Sequence, residues 1–327
     1  MLTFIIAVLL WPLLASSTAL AQSSGAVTPL RFLYPGASGS WVVPWAAKEG
    51  GYFSTEGLDV EFVRVGGSTR IVAIMLSGNA PMINVGGTAA VGAIGSGSDA
   101  VIIAASYTGF FFHLMARPNV TQPADLIGKR AGMTTFGSTS DVLVRLALQK
   151  YGLDLKKDIT VVQLGGQAEG FAALHAGFVE VMPLTSPLYL QAKKAGMKEL
   201  LNFSELGVED IGGAVVTTRA YLKQQRAVVV RFMRAFLRAT ARYKSDKAFG
   251  KALIAKYGQI KDEEILEETW KESSSLMQNV PRPSLKAVQF AMDTTLKGKA
   301  ALKPESFVDT SVLDELVRTG FVDSLTK

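Results

Sequence analysis

The stretch Met75-Leu76-Ser77-Gly78-Asn79-Ala80-Pro81-Met82-Ile83-Asn84-Val85-Gly86-Gly87-Thr88 decides how the chain is read. Its first residues close a helical pattern that begins near Thr69. Gly78 stops that helix, because a helix end often needs a left-handed residue, which glycine adopts without strain. The apolar Met82–Val85 then reads as a short buried strand. Gly86-Gly87-Thr88 reverses the chain and opens another helix. The same grammar returns at Leu174-His175-Ala176-Gly177, the apolar Val179–Leu184 and the reversal Thr185-Ser186-Pro187. In both places the reversal comes eight residues after the glycine. The echo fits a duplication that makes two lobes, and it also fits ordinary strand-to-helix grammar.

The rhythm extends in both directions. Apolar runs at Leu30–Tyr34, Val60–Val65, Val101–Ala105, Arg130–Met133 and Thr160–Leu164 alternate with helical patterns such as Ser138–Tyr151 and Gln167–Ala176. The runs look apolar on both faces, so an α/β fold with parallel, helix-covered sheets is expected. After Val216 the chain reads as nearly all helix, over Arg219–Lys244, Lys247–Tyr257, Asp262–Glu272, Ser284–Thr295 and Val312–Arg318.

The length of 327 residues allows two domains with real cores, and 19% charged residues against 48% hydrophobic ones argue against disorder. There is no Cys, which excludes a thiol nucleophile, a Cys-ligated metal and a lipidated Cys anchor. The apolar run Leu2–Leu14, the polar Ser16, Ser17 and Thr18, and Ala19-Leu20-Ala21 before Gln22 read as a signal peptide over residues 1–21. No Lys or Arg precedes the run, so either the start lies upstream or the terminal amine supplies the charge. An uncleaved anchor is the alternative, although Pro12 shortens the run below the ~20 apolar residues of a span. The net charge of +6 is concentrated between Arg219 and Lys256, where eleven Lys or Arg face one acid, Asp246. Arg231, Arg234, Arg238 and Arg242 step by three or four opposite Phe232, Met233, Phe236, Leu237 and Tyr243. That pattern predicts an amphipathic helix docked by its aromatic face, with the arginines solvated. No aromatic residue interleaves with them as base stacking would require, so no nucleic-acid partner is expected.

The strand-to-helix turns carry the chemistry. In open α/β sheets ligands sit off the carboxyl ends of the strands, where helix N-termini present unpaired N–H groups. Here those turns are Pro35–Trp41, Gly86-Gly87-Thr88, Thr134–Ser140, Gly165-Gly166-Gln167 and Thr185-Ser186-Pro187, all rich in Gly, hydroxyls or both. Two lobes offering such turns across a cleft can enclose a small anion without any Arg. Each turn has a plainer reading as well. Ser138 with Asp141 fits a helix cap, Gly86-Gly87 fits close packing, Trp41 fits a core or a cleft wall, and Phe110–Phe112 fits core or hinge packing.

Enzyme signatures are thin. His113 and His175 are the only two histidines, with His113 in an apolar run and His175 at a helix end. No G-x-S-x-G, H-E-x-x-H, phosphate loop or dinucleotide fingerprint is present, so no metal, cofactor or catalytic residue is expected. Acidic residues are sparse in the turns, which argues against a cationic ligand.

The segment Gly50-Gly51-Tyr52-Phe53-Ser54-Thr55-Glu56-Gly57-Leu58-Asp59-Val60 resembles the signature G-Y-F-x-x-x-G-L-x-V of the periplasmic binding proteins of nitrate, sulfonate and taurine ABC importers. Leu76-Ser77-Gly78, Asp125-Leu126-Ile127-Gly128-Lys129-Arg130, Tyr151-Gly152-Leu153 and Ala173–Gly177 extend the resemblance from about Leu30 to Leu201. It implies a two-lobed Venus-flytrap fold with two crossover hinges, near Phe110–His113 and Gly212–Val216, and a helical C-terminal tail. Lobe I would hold residues 27–110 and 216–327, and lobe II residues 111–215. By position, the pocket would fall on Ser38, Trp41, Gly87, Thr88, Tyr107, Thr135, Ser138, Thr139, Gln167, Thr185 and Gly213. The implied role is an exported, monomeric solute-binding protein that hands a small anionic or aromatic ligand to an ABC permease. A ligand sensor for a membrane receptor is an alternative on the same fold. The family's pyrimidine-synthase branch depends on a Cys-rich motif and an active-site His, and the lack of Cys weighs against it. Arg70 and Arg117 are the basic candidates near the turns.

Overall fold

The computed structural model describes residues 27–36, 38–296 and 302–325. The expected signal peptide at residues 1–21 lies outside the described residues. Among the described residues ten strands form two five-stranded sheets. They are β1 (Thr28–Tyr34), β2 (Leu58–Arg64), β3 (Met82–Val85), β4 (Ala100–Tyr107), β5 (Phe112–Ala116), β6 (Lys129–Met133), β7 (Ile159–Gln163), β8 (Val181–Thr185), β9 (Lys198–Asn202) and β10 (Gly212–Thr218). The first sheet runs β2-β1-β3-β10-β4 and the second β7-β6-β8-β5-β9. The protein is thus a two-lobed α/β structure, one sheet to each lobe.

The two orders are the same pattern, and the echo seen in sequence places β3 and β8 at equivalent positions. Each sheet differs from the expected parallel arrangement in one respect. β10 runs antiparallel to β3 and β4, and β5 runs antiparallel to β8 and β9. The reason lies in the crossovers. β5 is the first strand after the chain leaves the first sheet, and β10 is the first after it returns. Both enter from the side where the parallel strands end, so both must run backwards.

Helices cover both faces of the first sheet, which explains its doubly apolar strands. Phe32 packs with Trp45, Phe53, Phe232 and Phe236 on one side, whereas its neighbour Leu33 packs with Ile71, Ile83 and Val216 on the other. Gly78 and Gly177 adopt φ of 82° and 77°, as their helix-ending role requires. The C-terminal part is helical, over Arg219–Gln224, Arg226–Ser245, Lys247–Gly258, Glu263–Leu276, Leu285–Thr295 and Ser311–Arg318. The helix expected over Arg219–Lys244 is broken at Gln225, whose φ and ψ of −121° and 32° leave the helical region.

The arginines of helix Arg226–Ser245 do more than face solvent. Arg234 and Arg238 pair with Glu56, whose side chain is 8% exposed, and Arg231 donates to the carbonyls of Glu56 and Gly57. They tie the tail helix to the loop that feeds β2. On the buried side Phe232 lies 5.1 Å from Phe32 and 5.2 Å from Phe53, ring centre to ring centre. Removing a fully buried aromatic costs the transfer energy and leaves a cavity. Phe232→Ala is therefore expected to lower unfolding free energy by about 3–5 kcal/mol in urea denaturation. A loss below about 1 kcal/mol would show that the tail is not part of the core.

Candidate ligand-binding site

The carboxyl ends of the parallel strands in the two sheets face one another. Between them lies a cavity of about 50 Å³, room for a handful of water molecules. The first lobe contributes Pro35, Gly36, Ser38, Ser40 and Trp41 after β1, Arg64 at the end of β2, and Gly86 after β3. Tyr107 ends β4, while Gly212 and Gly213 begin β10. The second lobe contributes Phe112, Thr134, Ser138, Thr139, Ser140, Gly166 and Gln167.

The strongest polar feature is the start of helix Thr139–Lys150. Ser138 caps it, accepting from the Asp141 N–H. The Thr134, Ser138 and Ser140 hydroxyls bond one another at 2.9–3.0 Å. A helix N-terminus carrying three linked hydroxyls offers an anion both donors and a favourable dipole. Capping and cavity lining thus coincide at Ser138. Trp41 likewise belongs to the core and to the cavity wall.

Of the eleven sequence-predicted residues, Ser38, Trp41, Tyr107, Ser138, Thr139, Gln167 and Gly213 line this cavity. Gly87, Thr88, Thr135 and Thr185 do not; they make contacts between protein groups around it. Thr139 donates to Thr88 at 3.2 Å, and the Ser38 and Thr185 hydroxyls are 2.8 Å apart. Thr135 donates to Thr69 at 3.4 Å, and the Gly87 N–H donates to the Ile211 carbonyl at 2.9 Å. Most of these contacts join one lobe to the other. The Gly39 N–H also donates to the Ser186 carbonyl at 2.9 Å, and Arg64 pairs with Glu169 at the same distance. The lobes are therefore closed on each other.

Glycine at 212 is required here, because a Cβ would lie 1.7 Å from the Tyr107 ring. Tyr107 is buried and packs edge-on against Phe111 at 4.2 Å. Burial pushes its hydroxyl above the usual phenol range, against hydrogen bonds from Ser40 and the Gly213 backbone. The Gln167 amide is held by β8, donating to the Pro183 carbonyl and accepting from the Thr185 N–H.

Sequence reasoning missed two charged groups. Arg64 lines the cavity, whereas the candidates Arg70 and Arg117 do not. Its position at a strand's carboxyl end was the available signal. Asp210 also lines the cavity and is 5% exposed. It lies in the crossover before β10, outside every turn that the strand pattern marks, so no local signal revealed it. Its presence removes the earlier argument against a cationic ligand group. Burial pushes the Asp210 carboxyl up to about 7, against a hydrogen bond from the Ile211 N–H. His113 is buried between Glu199 at 2.9 Å and Glu272 at 3.3 Å, outside the cavity lining, and His175 is exposed. Among the described residues no group of three or more His, Asp and Glu is placed to hold a metal ion.

Two α/β lobes closing hydroxyl-rich helix starts on a small cavity define the class: this is the two-lobed fold of periplasmic binding proteins. Residues 43–246, more than half of the chain, match the family described as NMT1/THI5 like, and the chain belongs to it. A solved structure from Bordetella bronchiseptica RB50 is 17% identical, with a TM-score of 0.79 over 89% of this chain and 98% of its own. The alkanesulfonate-binding protein SsuA of Xanthomonas axonopodis pv. citri, bound to MOPS, is 19% identical, with a TM-score of 0.69 over 89% and 98%. The periplasmic nitrate-binding protein NrtA of Synechocystis PCC 6803 is 14% identical, with a TM-score of 0.69 over 88% and 86%. A search of the curated proteins finds no match. SsuA and NrtA are binding proteins by name. Among the described residues no helix is long and apolar enough to cross a membrane.

Asp210 makes stability depend on pH. Its folded pKa of about 7 exceeds the ordinary 3.8, so the folded state holds a proton that the unfolded chain releases. Ligand-free protein is thus expected to lose roughly 2–4 kcal/mol as pH rises from about 4 to about 7. Asp210→Asn removes that loss, so its advantage over the native protein should grow across this window in denaturation curves. A difference that stays constant with pH would refute the assignment.

Proposed function

We propose that the protein is the extracytoplasmic solute-binding component of an ABC importer, capturing a small organic anion in the cleft and delivering it to a permease. The observation that carries this reading is the convergence on one cavity of the hydroxyl-rich start of helix Thr139–Lys150 and Arg64 from the opposite lobe. A sulfonate or carboxylate group supplies acceptors for hydroxyls that otherwise bond one another, and charge-assisted contacts of this kind are the stronger ones. The sulfonate- and nitrate-binding neighbours support the same ligand class. In this reading the eleven predicted residues divide into those that touch the ligand and those that latch the lobes around it. Residues 27–110 with β10 and the chain after it, and the segment from β5 to β9, move as the two bodies; the boundary expected at 216 shifts to the start of β10, because β10 pairs with β3 and β4. They turn about the crossovers between β4 and β5 and between β9 and β10. The closed form presents the surface that the permease recognises. The protein acts as a monomer without cofactor or catalysis, after export through the segment at residues 1–21.

A thermal-shift screen of purified protein tests the binding role, with nitrate, alkyl and aryl sulfonates, carboxylates and pyrimidines as the panel. A ligand at about 100 times its Kd adds about 2.7 kcal/mol to the folded state. A shift confined to organic acids is expected; a shift confined to pyrimidines or to no compound would contradict the reading. Arg64→Gln should weaken the responding acid by about 1.5–3 kcal/mol, the contribution of a charge-assisted hydrogen bond. The lost pair with Glu169 is half-exposed on both sides and should cost the fold little. Unchanged affinity in titration calorimetry would remove Arg64 from the site.

A further inference from the structure

A histidine joins the two lobes outside the cavity lining. His113 lies in β5 of the second lobe and is 6% exposed. Its Nδ1 is 2.9 Å from Glu199 on β9 of the same lobe, and its Nε2 is 3.3 Å from Glu272. Glu272 belongs to the tail helix Glu263–Leu276, which is fixed to the first lobe. Ile265 and Leu266 of that helix sit in the first lobe's core, and Trp270 donates to the Tyr243 carbonyl at 3.0 Å. The Ser273 and Tyr243 hydroxyls are 2.6 Å apart. The imidazole therefore stands between one carboxylate from each lobe.

Such a ring meets both carboxylates favourably only when both nitrogens carry a proton. A neutral imidazole has one N–H, so its other nitrogen turns a lone pair toward a carboxylate oxygen. The groups around it favour the charged ring. Tyr189, on helix Leu188–Lys194, stacks on the imidazole at 3.6 Å between ring centres, a face that attracts a cation. Burial alone would raise the Glu199 carboxyl, but hydrogen bonds from Lys193 and His113 hold it below the usual range. Burial, with the charges of Glu272, Glu199 and Glu268, pushes the Tyr189 hydroxyl up, so it stays protonated. The facing residue on β8 is the uncharged Leu184. The second oxygen of Glu272 is buried and bonds no protein group, so among the described residues its carboxylate depends on His113.

We propose that His113 is a pH-sensitive latch between the lobes: its imidazolium bridges Glu199 and Glu272 in the closed form, so that mild acid holds the cleft shut and rising pH releases it. This rests on the reading that the lobes move as two bodies, and it is independent of what the cleft binds. Opening withdraws Glu272 and leaves His113 with Glu199 alone. The open form then holds the ring's second proton less firmly than the closed form. Closure is favoured where the ring is charged and weakens as it loses that proton, a change that histidine ordinarily makes between about pH 5 and about pH 8.

Spin-label distances from pulsed electron resonance provide the test. The native chain has no Cys, so labels on Arg70→Cys and Gln149→Cys, exposed positions on opposite lobes, report opening in ligand-free protein. The closed-to-open ratio is expected to fall by at least about 10-fold over that pH range, as loss of a charge-assisted hydrogen bond implies. Glu272→Gln keeps an acceptor and removes the charge, and His113→Gln removes the titrating ring; both should flatten the dependence. It should survive in Asp210→Asn, which removes the cavity group that titrates near the same range. Glu272→Lys sets a cation against the ring and should populate the longer distance even in acid. A native ratio that ignores pH while Glu272→Lys opens overturns the latch and leaves the moving lobes standing. So does a native-sized dependence in His113→Gln or Glu272→Gln. If Glu272→Lys keeps the single distance of the native protein at every pH, the lobes do not part, and the two-body reading falls with the latch.

Discussion

The chain passes between its sheets twice, and both times it does so at the edge where the parallel strands end. Everything about the cleft depends on that constraint. A chain leaving β4 at Tyr107 can enter the second sheet only from the near side, so β5 runs against its neighbours, and β10 repeats this on return. The carboxyl ends of both sheets are thereby turned toward each other. Helix N-termini from two independent cores then point at one volume. The crossovers also supply residues of their own, since Asp210 and Phe112 lie at or beside them.

Short polar contacts join the lobes across the cleft. Ser38 with Thr185, Thr88 with Thr139, and Arg64 with Glu169 are each contacts that water can replace when the lobes part. Such contacts are individually worth little, in the range of about 0–1.5 kcal/mol. The apolar clusters, by contrast, lie mostly on the faces of the two sheets. Rigid bodies with a weakly latched seam are what a binding clamshell needs, because a ligand can tip the balance by its own contacts. The seam and the cavity share the same turns, so ligand contact and lobe contact are coupled through residues such as Ser38 and Thr139.

The tail shows how far a local pattern reaches. The spacing of Phe232, Met233, Phe236 and Leu237 identified the buried face of its long helix, and all are buried. The spacing of the arginines suggested a solvated face, yet Arg234 and Arg238 converge on Glu56, 178 and 182 positions earlier in the chain. A charge pattern reports which side of a helix is polar. It carries no information about a distant carboxylate brought up by the fold.

The alternation of apolar runs and helices determined the α/β class, the helical tail and the turns that surround the cleft, because periodicity and glycine positions are local properties of the backbone. Within those turns it marked Ser38, Trp41, Ser138, Thr139 and Gln167. The tertiary structure alone decided the reversed strands, since β5, β9 and β10 have patterns that do not reveal direction or sheet. It alone separated residues that line the cavity from those that join the lobes, because Thr88 and Thr139 belong to similar turns and differ only in what stands opposite. It alone placed Arg64 and Asp210 on the same cavity. Their meeting depends on the crossovers, a relation between segments 146 residues apart that no local spacing encodes.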